Sequence, residues 1–232
     1  MTATRRERLA DDAWLLHFGA ETPPIDDATN ARVHRIAARI RADAPAWLRD
    51  LVPAYASLAV FFDPDAIDAG TVERWLDARL AGDDGTTAAT APRCIEIPVV
   101  YGGDFGEDLD SVAQELGITA DALAARHAAG TYSVAMIGFA PGFPYLSGLD
   151  PALALPRLAT PRTRVPAGSV AIGGAQTGLY PRESPGGWRL IGRTPLRLFD
   201  PMRASPSLLV PGDRVRFVAI DAREFARREV QS

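Results

Sequence analysis

The chain has 232 residues, 29 acidic against 25 basic side chains, a formal net charge of -4, one cysteine and three histidines. Every basic residue is an arginine. The chain therefore has no P-loop lysine, no Schiff-base lysine for pyridoxal phosphate or aldolase chemistry, and no lysine to carry biotin. Cys94 alone cannot form an internal disulfide or a thiolate zinc site, and the histidines at 17, 34 and 127 are too scattered for a histidine-rich metal centre.

The N-terminus passes from Arg5, Arg6 and Arg8 straight into Asp11 and Asp12, with no apolar stretch of a secretory signal. No run reaches the length of a membrane span, so a cytoplasmic protein without membrane contact is expected. Ala13 to Phe18 reads as a strand, and Thr29 to Arg41 as a helix with Val33, Ile36, Ala37 and Ile40 on one face. Tyr55 to Phe62 reads as a second, largely buried strand. A helix over Thr71 to Leu80 follows, its stripe made by Val72, Trp75 and Leu76 and its polar start by Thr71, Glu73 and Arg74. Gly82 to Pro92 has no periodicity and reads as a linker. Residues 1–90 are thus predicted to form a small α/β domain and 91–232 a second domain.

Cys94 to Val100 alternates as a strand and runs into the loop Tyr101-Gly-Gly-Asp-Phe-Gly106. Two short helices come next, Asp108 to Leu116 and one capped by Thr119 that ends near Gly130. They have the outline of a helix-turn-helix, but Asp108, Asp110, Glu115 and Asp121 would repel phosphate, so the pair reads as packing. From Thr131 the period becomes two: Tyr132, Val134 and Met136; Val170 and Ile172; Leu196 and Leu198; Val215 and Phe217. These are predicted strands between Pro/Gly turns. A closed or nearly closed β-barrel fits best, because closure removes exposed strand edges. The predicted class is α+β.

Chemistry concentrates late in the chain. Between Gly138 and Gly212 lie 11 of the 20 glycines and 12 of the 19 prolines. Within that stretch Pro151 to Phe199 carries seven arginines (157, 162, 164, 182, 189, 193 and 197) against one acid, Glu183. A rigid, locally basic surface in an acidic chain suits a small acidic ligand or an acidic partner better than bulk nucleic acid. The loop Gly138 to Leu146 sets Phe139, Phe143 and Tyr145 among prolines and glycines, either to plug a barrel end or to line a ligand site. Its Phe143-Pro144 bond is a candidate cis peptide. Pro156 to Gly168 presents Arg157, Arg162 and Arg164 with Thr160 and Thr163, and guanidinium forks bind carboxylate or phosphate. Gly173 to Trp188 contains Gln176, Tyr180, Arg182, Glu183, Ser184 and Trp188, with glycines that would let backbone N–H groups approach an oxyanion. Glu183 is a candidate general base or the partner of an adjacent arginine. His127, ending the second short helix, is a candidate cap or proton-transfer group whose protonated form the helix dipole favours. No Gly-x-Ser-x-Gly elbow supports serine hydrolysis, and no metal site is predicted.

The ordered series Gly138-Phe-Ala-Pro-Gly-Phe-Pro-Tyr-Leu146, Thr160-Pro-Arg162, Arg164-Val-Pro-Ala-Gly-Ser-Val170, Gln176-Thr-Gly178, Tyr180-Pro181, Ser184-Pro-Gly-Gly-Trp188 and Ile191-Gly-Arg-Thr-Pro195 resembles the family of allophanate hydrolase subunit 1. That family also includes the B subunit of 5-oxoprolinase and the sporulation kinase inhibitor KipI. The resemblance covers nearly the whole chain, the Tyr101 to Gly106 loop included. It implies a small N-terminal α/β domain followed by a cyclophilin-like β-barrel. It also implies partners within 5-oxoprolinase: the C subunit, which is an allophanate hydrolase subunit 2-like protein, and the A subunit. The implied reaction opens 5-oxoproline to glutamate with ATP, and with magnesium, at the level of the complex, with no covalent cofactor on this chain. Two alternatives stay open, an inhibitor that binds a sensor histidine kinase and half of a biotin-dependent urea carboxyltransferase whose biotin is carried elsewhere. On this reading the catalytic candidates are His127 and Glu183. The substrate or anion-binding candidates are Arg157, Thr160, Arg162, Arg164, Gln176, Tyr180, Ser184 and Trp188, with Phe139, Phe143 and Tyr145 lining the loop.

Overall fold

Apolar residues occupy the middle of the N-terminal sheet and charged ones its rims. The computed structural model describes residues 4–19, 26–81 and 92–230, and the chain divides into two compact units, Met1–Pro92 and Arg93–Ser232. In the first unit β1 (Arg5–Ala10), β2 (Ala13–His17), β3 (Leu48–Pro53) and β4 (Ser57–Phe62) form an antiparallel sheet in the order β1-β2-β4-β3. The two central strands are the apolar ones that periodicity predicts. The edges β1 and β3 are unpredicted because Arg5, Arg6, Glu7, Arg8, Arg49 and Asp50 give them the charge that keeps an unpaired strand edge from recruiting another. Helices α1 (Asp27–Ala42) and α2 (Ala69–Ala81) close the core, where Val33, Ile36, Ile40, Val72 and Leu76 meet Leu16, Leu58, Val60 and Phe62. The second helix starts two residues earlier than predicted, because Asp68 caps it: its Oδ1 accepts the Thr71 N–H at 2.9 Å. The stretch read as a linker lies outside the described residues except for Pro92.

The second unit is a closed barrel of seven strands. They are β5 (Cys94–Tyr101), β6 (Thr131–Ile137), β7 (Pro144–Ser147), β9 (Ser169–Gly173), β10 (Gln176–Leu179), β12 (Arg189–Arg193) and β13 (Arg214–Ala219), in the order β10-β7-β6-β13-β5-β12-β9. Two further strands, β8 (Arg162–Val165) and β11 (Ser184–Gly186), pair only with each other as a ribbon. Alternation sends Ile97, Val99, Tyr132, Val134, Val170, Ile172, Val215 and Phe217 to one core. Helices α3 (Leu109–Glu115) and α4 (Ala120–Ala129) add Leu109, Val112 and Leu123 to that core, so the helix pair is packing. Thr119 Oγ1 caps α4 by accepting the Ala122 N–H at 3.1 Å. Strand β13 slots between β5 and β6, parallel to the first and antiparallel to the second. Helix α5 (Ala222–Glu229) follows it and buries Phe225 against Phe105.

The small α/β unit and the cyclophilin-like barrel make the chain α+β, with two local corrections. Residues 196–198 form no strand; Pro195 supplies no ladder N–H, and only an isolated bridge joins Phe199 to Ser207. The Phe143-Pro144 bond is trans, as are all peptide bonds among the described residues, and Pro144 opens β7, where a missing N–H is tolerated. No helix among the described residues is long and apolar enough to cross a membrane.

Candidate functional site

The barrel carries a second apolar cluster on its outer face. Because Val170 and Ile172 point inward, Ala171 between them points out, and Gly178 does the same between Thr177 and Leu179. Over this face gather Ala140, Phe143, Val165, Ala171, Tyr180, Trp188 and Leu190, with Tyr145 packed against them. The rings meet edge to face: Phe143 lies 5.1 Å from Tyr180 at 89° and 5.7 Å from Trp188 at 90°, and Tyr145 lies 5.8 Å from Trp188 at 69°. Phe139 adds the outermost ring, 5.4 Å from Phe143, and is 63% exposed. Its φ of 66° makes it the one described non-glycine residue in the left-handed region, a costly conformation for a bulky side chain. The loop aromatics therefore join this outer cluster and not the barrel interior.

Three of the glycines expected to cradle an oxyanion, Gly173, Gly178 and Gly186, make room for rings instead. A Cβ on Gly173 would stand 2.5 Å from Cε2 of Trp188, and one on Gly186 would stand 2.8 Å from Cε1 of Tyr180. A Cβ on Gly178 would meet Trp188 Cζ3 at 3.0 Å. Gln176 is buried and shares the outward face with Gly178, whereas Thr160 is exposed. Burial raises the hydroxyl pKa of both Tyr145 and Tyr180, so both phenols stay protonated.

Much of the basic tract is neutralised by acids from outside it. Arg162 bonds Glu107 through Nε at 2.8 Å and Asp108 through Nη2 at 2.7 Å, and Asp108 also accepts the Leu190 N–H at 2.6 Å. Arg189 pairs with Glu115 at 3.0 Å and Arg197 with Asp200 at 3.3 Å. Inside the tract, Arg164 donates to Glu183 at 2.6 Å, so Glu183 takes the ion-pair alternative. Among the described residues Arg157, Arg182 and Arg193 have no acidic partner. Arg157 stands over the Trp188 ring at 5.4 Å, and Arg193 donates to the Ala167 carbonyl at 2.8 Å. Nothing local in the sequence marks Glu107, Asp108 and Glu115 as partners of the tract. The available signal is the acid pair that directly follows the Tyr101 to Gly106 loop.

His127 lies apart from this surface, 0% exposed inside the barrel against Tyr132 and Phe217. Thr177 Oγ1 donates to the Ala171 carbonyl at 2.9 Å, so at 2.9 Å from His127 Nε2 it accepts, which leaves Nδ1 to accept from the Tyr101 hydroxyl at 2.8 Å. Burial pushes the imidazole pKa down to about 3. The expected protonated form therefore does not hold, because desolvation in the core outweighs the helix dipole. The outer site and His127 are on opposite sides of the barrel wall, and the structure does not bring His127 and Glu183 together. Among the described residues no three His, Cys, Asp or Glu side chains gather as metal ligands would.

The family described as carboxyltransferase domain, subdomain C and D, matches residues 4–209. The 5-oxoprolinase B subunit of Bacillus subtilis (strain 168) is 42% identical over 229 residues, 94% of this chain and 94% of the relative. That of Escherichia coli O157:H7 is 44% identical over 197 residues, 84% of this chain and 88% of the relative. Among solved structures, TTHA0988 matches with a TM-score of 0.78 and 41% identity over 90% of this chain. This chain spans only 40% of that protein. The Kluyveromyces lactis urea amidolyase has a TM-score of 0.74 over 97% of this chain and 15% of its own, and at 20% identity the likeness is one of fold alone. The match to the family runs through six of the seven barrel strands, the aromatic loop and the arginine track alike, and the chain belongs to the carboxyltransferase-domain family, subdomain C and D, alongside the 5-oxoprolinase B subunits.

Proposed function

We propose that this chain is the B subunit of an ATP-dependent 5-oxoprolinase, which opens 5-oxo-L-proline to L-glutamate in a site completed by the C subunit, with the A subunit in the same assembly. The observation that carries this reading is the 42% identity, across 94% of both chains, to the B subunit of the Bacillus subtilis 5-oxoprolinase. The chemistry agrees with it. An unstrained lactam resists water, and transfer of the ATP γ-phosphoryl group to its oxygen makes the ring carbon a better electrophile, with ADP leaving. Attack by water and loss of phosphate then give glutamate. Both the phosphoryl group and the substrate carboxylate need fixed cations. Arg157, Arg182 and Arg193 remain available for that, while Arg162, Arg164, Arg189 and Arg197 are committed to acids.

This chain acts in that reaction as a binding wall. Its two titratable candidates are engaged elsewhere, His127 neutral in the barrel core and Glu183 paired with Arg164. The groups that move protons then come from the partner, and a cytoplasmic location goes with the use of ATP. The test is ADP release dependent on 5-oxo-L-proline, measured for this chain alone and with the A and C subunits. Activity is expected only with the full set. A full set that never releases ADP overturns the reading, as does dose-dependent inhibition of a histidine kinase by an otherwise inactive chain.

A further inference from the structure

A bulge decides what the two-stranded ribbon presents to the barrel. Ser184 pairs with Val165 and Gly186 with Arg162, so two steps along β11 match three along β8. Ser184 and Gly186 share a face, and the extra residue turns Arg162 onto the same face as Val165 while Thr163 and Arg164 stay exposed. That face packs on the aromatic cluster, which contains Val165 and in which the Tyr180 ring abuts Gly186.

Two polar atoms there, Arg162 Nη1 and Ser184 Oγ, are buried and have no hydrogen bond among the described residues. Such atoms are rare because an unmade bond on a buried donor is costly. The rest of the Arg162 guanidinium is engaged by Glu107 and Asp108, so one positive charge sits between two negative ones. A further anion at this corner would meet net negative charge. An uncharged acceptor would not, and a guanidinium N–H and a hydroxyl together suit a carbonyl oxygen. Arg157, which has no acidic partner among the described residues, stands over Trp188 beside this corner, and the Tyr180 hydroxyl lies within the field of both Arg157 and Arg162.

We propose that Arg162 Nη1 and Ser184 Oγ form a subsite, between the ribbon and the outer barrel face, that receives the uncharged amide carbonyl of a small cyclic amide whose carboxylate is taken by Arg157. The ligand class rests on the 5-oxoprolinase reading. The test uses the full chain, isotope-labelled, titrated in NMR with the uncharged lactam 2-pyrrolidinone, with acetate and with 5-oxo-L-proline. Either lactam is expected to shift the Ser184 and Gly186 amides and the Arg162 side chain, and Ser184→Ala to weaken lactam binding about fivefold. Arg157→Ala is expected to remove the advantage of 5-oxo-L-proline over 2-pyrrolidinone. If acetate moves those signals and the lactams do not, or if neither lactam moves them at high concentration, the subsite is wrong. The two readings separate cleanly. ADP release by the full assembly with these signals unmoved by lactam keeps the function and removes the subsite. Lactam binding here without any 5-oxoproline-dependent ADP release keeps the subsite and removes the function.

Discussion

Gly173→Ala tests whether the glycines of the late chain exist to seat an indole. Gly173 lies in β9 with an ordinary strand backbone, so alanine meets no conformational obstacle there. The obstacle is Trp188, whose Cε2 and Cγ would stand 2.5 and 2.7 Å from the new Cβ. Carbon atoms need about 3.5–4.0 Å, so the ring must retreat by about 1 Å. It has little room to do so between Phe143 and Tyr145 and over Gly178. Overpacking of this kind costs about 2 kcal/mol. Trp188→Ala alone should cost about 3–5 kcal/mol. Once the indole is gone, the methyl at 173 enters the vacated space, so the double variant should match Trp188→Ala, a coupling of about 2 kcal/mol. Hydrogen exchange of β9 and β10 amides reads this unit separately from the N-terminal one, which a global melt would mix in. A 5-fluorotryptophan resonance from Trp188 should also move in Gly173→Ala. Effects that add to within about 0.5 kcal/mol would refute the steric reasoning.

Three further outcomes follow from the same geometry. Folding keeps His127 neutral down to about pH 3, whereas the unfolded chain protonates it near its ordinary 6.5. The stabilisation is therefore whole above pH 6.5 and drains away as pH falls towards 3, by about 2 kcal/mol between pH 7 and 5. The urea stability of His127→Gln should lack that component, and parallel pH curves for the two proteins would count against it. Asp108→Ala leaves Arg162 Nη2 and the Leu190 N–H without their acceptor in a nearly buried place, with Glu107 alone left on the guanidinium, and should cost about 3 kcal/mol. Glu107→Ala, at the exposed end of the same triad, should cost less than about 1 kcal/mol in the same denaturation assay. Arg157→Ala should leave stability within about 1 kcal/mol of the parent. In the assembled complex it should raise KM for 5-oxo-L-proline about tenfold with a smaller change in kcat, and an unchanged KM removes Arg157 from the site.

The barrel was legible wherever a strand alternates between a buried and a more open face, as in β6 and β13. The edge strands β1 and β3 were not, because the charges that protect an edge erase the apolar pattern. Residues 196–198 show the reverse error, since alternating leucines beside a proline can be buried without joining a ladder. The candidate site was legible as a set of residue types but not as an electrostatic unit. Arg162 and Asp108 lie 54 positions apart, and local charge counting cannot see such a pairing. Glycine likewise has two uses that one sequence cannot separate, room for a ligand and room for a ring. Here Trp188 and Tyr180 occupy the space. His127 illustrates the limit for titratable groups: its position at a helix end favours charge, and only the burial that the barrel imposes decides against it.

The placing of β13 gives this protein a birth order. Its neighbours β5 and β6 are synthesised early in the second unit, yet the strand that joins them arrives after a gap like the one between Arg93 and Asp213, 120 positions apart. At 5–20 residues per second a growing chain holds the β5 edge open for roughly 6–24 s, and the β6 edge, which is made later, for a shorter time. Any version ended before Arg214 would present an open sheet for life. A partner that recognises the closed barrel can dock only after β13 has been made, so synthesis of that strand becomes a checkpoint for assembly.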